Sequence, residues 1–209
     1  MKTPTPHPTT KSGANDQGQD GPKEIRFYRA NEKPCGAFSN LFPIPIMFDG
    51  REFPTAEQAY QAGKARKETV REWILSAPTP SLAAMAAHGL YTWDIVPNWS
   101  QIKFDRMRAV LHAKFTQHED LRLLLLSTGE ARIVEAGRVA NGVNRTWGEV
   151  NGKGLNMLGV LLTELRAELR NGATKSHKQL KVDRRNGQAG RVDKNLVAIR
   201  QKGAGTGTA

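Results

Sequence analysis

The chain has one cysteine, Cys35, among its 209 residues, so no disulfide can form within it. That fits a reducing, cytoplasmic setting. Long apolar runs are also lacking. The longest unbroken aliphatic stretch is Leu123–Leu126, far below the roughly 20 residues that span a bilayer. The N-terminal stretch MKTPTPHPTTKSGANDQGQDGPK has no apolar core, which excludes a secretory signal. Histidines 7, 88, 112, 118 and 177 show no metal-ligand spacing, and one thiol cannot complete a zinc site. Neither the Walker pattern nor the dinucleotide fingerprint occurs. No metal, cofactor or membrane partner is therefore expected.

What is abundant is positive charge, but it is unevenly spread. The formal charge is +11. Residues 171–209 hold nine Lys/Arg against two Asp, and residues 24–170 hold 19 Lys/Arg against 16 Asp/Glu. The basicity thus sits mainly in the C-terminal tail, and the segment before it is nearly balanced. Residues 1–23 and 171–209 are poor in residues to bury and read as disordered tails. A weak apolar patch at Leu196, Val197 and Ile199 could form a short helix. Residues 24–170 form the expected domain.

Within that domain, Glu24–Arg29 reads as a strand. Ile44–Phe48 and Arg51–Phe53 flank Asp49-Gly50, the turn chemistry of a tight β-hairpin. Thr55 is a good N-cap, and Gln58 stands at the capping-box position of a helix ending near Ala65. Further helices are expected over Val70–Leu75, Leu82–Ala87, Ser100–Thr116 and Leu121–Leu126, the last stopped by Thr128-Gly129. In the fourth helix Ile102, Met107, Val110, Leu111 and Phe115 recur near 3.6-residue spacing. Ile133-Val134-Glu135 suggests a short strand. Gly154–Arg170 is the strongest helix, with Leu155, Leu158, Leu161, Leu162, Leu165 and Leu169 in one apolar stripe. The expected class is α+β, a mostly helical domain with a small antiparallel sheet.

Three segments could carry chemistry. On the helix after Thr55, Glu57, Gln61 and Lys64 fall within a sector of roughly 60°. A desolvated lysine becomes a nucleophile and a nearby carboxylate can move protons; a solvated polar face would show the same spacing. The loop Asn144-Arg145-Thr146-Trp147-Gly148, followed by Gly152, Gly154 and Asn156 before a helix, could let backbone N–H groups approach an anion, or could simply turn and cap. Phe38-Ser39-Asn40 with Trp93 and Trp99 would suit base stacking, or would be core with a polar handle. Cys35 lies in a Pro-Cys-Gly turn with no base beside it.

Taken together, FYRA, GAFSNLFPIPIMFDGREFPTAEQAYQAGKA, KFTQH, LLLLSTGEARIVEA and TWGEVNGKGLNMLG resemble the NADAR (NAD and ADP-ribose) domain family over about residues 25–170. That family includes N-glycosidases acting on riboflavin-pathway intermediates and hydrolases that remove ADP-ribose from guanine in nucleic acid. The resemblance implies an N-glycosidase of a ribosyl substrate, with Glu57 and Lys64 catalytic and the lysine capturing the anomeric carbon. It implies substrate-binding roles for Ser39, Asn40, Gln61, Trp99, Trp147, Gly148, Gly152, Gly154 and Asn156, with phosphates near Gly152–Gly154. Two positions depart from the pattern. Gln58 stands where the family usually has His, and Asn144, counted with the catalytic residues, stands where it usually has an Asp that either transfers protons or orients the substrate. Asn can position a hydroxyl but cannot act as a base. A non-catalytic module binding ADP-ribose or NAD-derived ligands is the alternative implied by that change. The basic tail would favour nucleic acid as a partner.

Overall fold

A computed structural model describes residues 23–185, with side chains through residue 172. The expectations for residues 1–22 and 186–209, including the helix around Leu196, lie outside the described residues. Among the described residues, no helix is long and apolar enough to cross a membrane.

Strand β1 (Glu24–Phe27) pairs in parallel with β4 (Arg132–Glu135), Ile25 opposite Ile133 and Phe27 opposite Glu135. Strands β2 (Ile46–Phe48) and β3 (Arg51–Phe53) form an antiparallel hairpin. Asp49 and Gly50 join them with φ of 51° and 74°, the left-handed pair that a type I′ turn requires. The α+β class holds, but the single antiparallel sheet is corrected to two two-stranded sheets, one of them parallel. The hairpin had a local turn signal; the β1–β4 pairing joins opposite ends of the domain and had none.

Helices α1 (Ala56–Ala62), α2 (Glu68–Leu75), α3 (Pro80–His88), α4 (Trp99–Gln117) and α5 (Glu119–Ser127) follow the expected order. A sixth, α6 (Gly142–Trp147), replaces an expected loop. Asn141 caps it, its side chain accepting from the Asn144 backbone N–H at 2.8 Å. Helix α7 (Met157–Arg185) starts later than Gly154, because Gly154 and Asn156 hold φ of 155° and 50°. Leu155 is consequently exposed, off the stripe that buries Leu158, Leu161, Leu162 and Leu165. Ile102 of α4 is likewise exposed, unlike Met107, Val110, Leu111 and Phe115. The compact unit ends at Arg166, and α7 continues past Arg170 to Arg185, so residues 171–185 are helical rather than structureless.

The early end of α1 has a clear cause. Arg106 of α4 donates from Nε to the Tyr60 carbonyl and from its guanidinium to that of Ala59, at 3.2 and 2.7 Å, and Arg71 donates to Ala62 at 3.1 Å. The last carbonyls of a helix lack the full set of in-helix donors, and guanidiniums supply donors here, beside the Gly63 N–H that also reaches Tyr60. A Cβ on Gly63 would lie 1.8 Å from the Arg106 side chain, so only glycine admits this cap.

The core is strung on aromatics. Phe27 meets Phe38 edge-on at 5.8 Å between centroids, and Phe38 packs against Phe115 at 6.2 Å. Beside them Lys114 is fully buried. Its amine donates to the carbonyls of Ala37 and Ser39 at 2.6 and 2.8 Å, with the Phe42 and Phe115 rings within 5.5 Å. Burial pulls its pKa down to about 7.

The folded protein thus holds this amine neutral above about pH 7, whereas an unconstrained lysine is protonated below 10.5. Unfolding between those values takes up a proton, so this site makes stability rise with pH across that window, by up to about 1.4 kcal/mol per unit. Urea melts of wild type and Lys114→Met from pH 7 to 10 should show the wild type gaining on the variant. Parallel curves would refute the buried neutral amine.

Candidate active site

Helix α1 begins with a capped turn. Thr55 accepts from the Gln58 amide at 3.3 Å and donates its hydroxyl to the Gln58 side chain at 3.1 Å. Gln58 is buried and serves the cap, as expected from its position. The Glu57 amide donates to the Asn40 carbonyl at 3.0 Å, which ties the helix to the Ser39-Asn40 segment. One turn on, Gln61 Nε2 donates to Glu57 Oε1 at 2.7 Å. Lys64 lies past the helix end instead of on the shared face, which corrects the i, i+7 geometry. Its amide donates to Gln61, its carbonyl accepts from Val96, and its amine donates to the Ala87 carbonyl at 2.6 Å.

Two adjoining cavities open on these residues. The first, of about 300 Å³, is lined by Ser39, Asn40, Glu57, Asn144 and Trp147, and also by Glu135. The second, of about 510 Å³, is lined by Lys64 and Trp99, with Ser100, Lys103 and Thr146. Tyr60, Gln61, His88 and Trp147 border both. Tyr60 anchors the shared wall, its ring 5.3 Å from Trp99 and 5.5 Å from Trp147.

Charge is divided between the cavities. The first holds two carboxylates. Burial raises the Glu57 pKa, against the Gln61 hydrogen bond that lowers it. Burial first and the charge of Glu57 second push Glu135 up to about 7. Two carboxylates facing one cavity disfavour joint ionisation, so near neutral pH one tends to keep its proton. In the second cavity, burial depresses the Lys64 amine. Burial and the charge of Lys64 hold His88 down. Asn40 contributes a further feature: its side-chain oxygen is buried in the cavity wall with no partner among the described residues. Its amide group sits 3.2 Å from the Met107 sulfur.

The structure therefore brings together Ser39, Asn40, Glu57, Gln61, Lys64, Trp99, Asn144 and Trp147. Gly148, Gly152, Gly154 and Asn156 line neither cavity. They build the frame. A Cβ on Gly154 would fall 2.0 Å from the Gly148 carbonyl oxygen. Asn156 is buried and latches β4, donating to the Ile133 carbonyl at 2.8 Å and accepting from the Glu135 amide at 3.0 Å. Phe38 is core, and Trp93 is exposed and stacked on Tyr91 at 4.6 Å. Sequence reasoning missed Glu135, His88 and Lys103. Glu135 ends a strand whose two preceding residues are apolar, and a carboxylate there was the signal available.

A model of the NADAR domain matches residues 26–170. The chain belongs to the NADAR domain family. It is 41% identical over 146 residues to the N-glycosidase YbiA of Shigella sonnei, covering 69% of this chain and 88% of that protein. It is 34% identical to N-glycosidase Npun_R5314 of Nostoc punctiforme, covering 70% and 93%. The solution structure of Escherichia coli YbiA superposes with a TM-score of 0.64 at 37% identity, covering 74% of this chain and 89% of that one. This NADAR protein is accordingly an N-glycosidase, an enzyme that hydrolyses glycosidic C–N bonds.

The Asn156 latch gives a direct test. Asn156→Ala leaves the Glu135 amide and the Ile133 carbonyl without these partners. Each such buried orphan costs about 1–3 kcal/mol. The urea midpoint should fall accordingly, and an unchanged midpoint would show that Asn156 does not hold β4.

Proposed function

We propose that this enzyme hydrolyses the N-glycosidic bond of a ribosyl substrate, with Glu135 as general acid, Glu57 as base and Lys64 as the group that captures the anomeric carbon. The observation that supports it most is the carboxylate pair in one cavity. The members come from different elements, α1 and β4, and their environments separate their tasks. Burial raises Glu57, and the Gln61 donor offsets part of that by favouring its charged form. Glu135 lacks that donor, lies beside Glu57's charge, and titrates near 7. A carboxyl that keeps its proton near neutrality is suited to protonate a leaving nitrogen.

The bonds change as follows. Glu135 gives its proton to the leaving nitrogen as the C1–N bond breaks with its electron pair going to nitrogen. The Lys64 amine forms a bond to C1 and passes a proton to Glu57. The ring C1–O bond then breaks with its electron pair going to the ring oxygen, which takes the proton from Glu57, while the lysine lone pair closes a C1=N Schiff base. Water adds at C1, the C1–N bond breaks with its electron pair returning to the lysine, the released proton returns to Glu135, and the sugar is freed as its aldehyde. Desolvation favours the neutral lysine that this step needs. Asn144 borders the cavity with its side-chain amide donating to the Val139 carbonyl at 2.8 Å. With Glu135 present, Asn144 need only orient the sugar. The unpartnered Asn40 oxygen is placed to accept from a ribose hydroxyl.

Two substrates carry this chemistry: ADP-ribosylated guanine in nucleic acid and the phosphoribosylamino pyrimidines of riboflavin biosynthesis. Curated relatives include a protein named for riboflavin biosynthesis in Vibrio vulnificus, 30% identical over 150 residues. A cytoplasmic setting suits either. For the first substrate, the basic segment 171–209 would add phosphate contacts.

Both substrates should be incubated with wild type, Glu57→Gln, Glu135→Gln and Lys64→Ala, and free base followed by mass spectrometry. Each variant should lower turnover by about 10²–10⁴-fold, the range of a lost proton-transfer group. Borohydride should trap a sugar on wild type and none on Lys64→Ala. Full turnover by Lys64→Ala on an active substrate would remove the lysine from the mechanism. The kcat/KM profile should decline above about pH 7, where Glu135 loses its proton, and Glu135→Gln should erase that decline.

A further inference from the structure

The lysine and the carboxylates do not share a cavity. Lys64 lines the second and not the first; Glu57 and Glu135 line the first, and no Asp or Glu lines the second. A sugar carbon captured on the lysine amine is therefore surrounded by groups that accept a proton poorly. Tyr60 borders this cavity, but burial pushes its phenol well above the ordinary value. Ser100 and Thr146 offer only neutral hydroxyls, and Gln61 only an amide. A lysine ammonium such as that of Lys103 has no acceptor at all. The remaining side chain in the lining with a lone pair basic enough near neutral pH is the imidazole of His88.

The end of α3 fixes this imidazole beside the lysine. The helix finishes at His88, and the carbonyl of Ala87, one residue earlier, accepts from the Lys64 amine at 2.6 Å. The anchor of the lysine and the imidazole thus stand on consecutive residues. His88 is exposed to the cavities, so water reaches it, and its ring makes no hydrogen bond among the described residues. Desolvation first and the charge of Lys64 second hold the ring below the usual histidine value, which favours its unprotonated form. The groups around it are Glu57 of α1 and Glu135 of β4 on one side, and Lys64 and Lys103 on the other. His88 borders both cavities, so a proton taken up in the second has a carboxylate to go to in the first. Asn144, in the first lining, cannot take it.

Resting on the glycosidase reading above, we propose that His88 is the general base of the second half-reaction, activating the water that frees the sugar from Lys64 and relaying the proton back to Glu135. As the water oxygen bonds to C1, His88 takes one of its protons and the C1=N π pair moves to the lysine nitrogen. The second water proton transfers to that nitrogen as the C1–N bond breaks and C1=O forms, which regenerates the neutral amine. The proton held on His88 then passes to Glu135, which gave up its own when the base departed. The two halves of the reaction thus use different proton carriers, one in each cavity.

Rapid-quench kinetics on the full chain, with whichever of the two substrates the wild type hydrolyses, tests this role. His88→Gln should still release free base in a first-turnover burst, the mark of an intact covalent step. Its steady-state rate should then fall by about 10²-fold or more, the range of a lost proton-transfer group. Borohydride should trap more sugar on this variant than on wild type, because the Schiff base accumulates. His88→Ala should behave alike, and added imidazole should restore its steady-state rate while leaving Lys64→Ala unaffected. Circular dichroism should show both His88 variants folded, since the ring makes no hydrogen bond that the fold needs. Wild-type steady-state rates in both variants, with no extra trapped sugar, would overturn the relay. So would an equal loss of burst and steady state without imidazole rescue, which marks a merely structural effect. A wild type that releases base but yields no trapped sugar removes the lysine intermediate, and the relay falls with that reading. Trapping on wild type with unaltered His88 variants removes the relay alone.

Discussion

The active cleft depends on an amine that never reaches it. Lys114, fully buried on α4, holds the carbonyls of Ala37 and Ser39. The next residue, Asn40, accepts the Glu57 amide through its carbonyl. One chain of hydrogen bonds thus runs from the core, through the Ser39-Asn40 wall, to the first turn of α1. Backbone carbonyls inside a protein need donors, and a neutral lysine supplies them without placing a full charge among Phe42 and Phe115. The same burial that makes the amine neutral makes it a structural donor.

Around that anchor the cleft is assembled from pieces that have little to do with one another in sequence. Glu57 and Gln61 come from α1, Glu135 from β4, Lys103 from α4 and Trp147 from α6. Asn156 holds the end of β4 from the start of α7. The chemistry follows from the sorting of these groups. Two buried carboxyls, Glu135 raised further by the charge of Glu57, share one cavity, and Lys64 and Lys103 share the other. Tyr60, packed against Trp99 and Trp147, borders both.

Much of this was legible beforehand. The Asp49-Gly50 turn, the Thr55 cap and the apolar periodicity of α4 and α7 are local signals, and the structure repeats them, though α7 runs on well past Arg170 to Arg185. The NADAR resemblance collected Glu57, Lys64, Trp99 and Trp147 into one site. What stayed hidden was non-local. Nothing near Ile133-Val134-Glu135 says that the strand pairs in parallel with β1 and aims Glu135 at Glu57. Nothing near Gly63 says that Arg106 stops the helix there. Gly152 and Gly154 suggest an anion contact before a helix, yet with Asn156 they line neither cavity, and the Asn156 side chain holds β4.

The shortness of α1 has a mechanical consequence. Glu57 rides on two helical turns, while Lys64, just past the helix end, bonds Gln61 through its amide, Val96 through its carbonyl and Ala87 through its amine. Substitutions in residues 94–96 and α3 therefore act on the carbonyl and amine contacts of Lys64, whereas the contacts of Glu57 lie with Asn40 and Gln61.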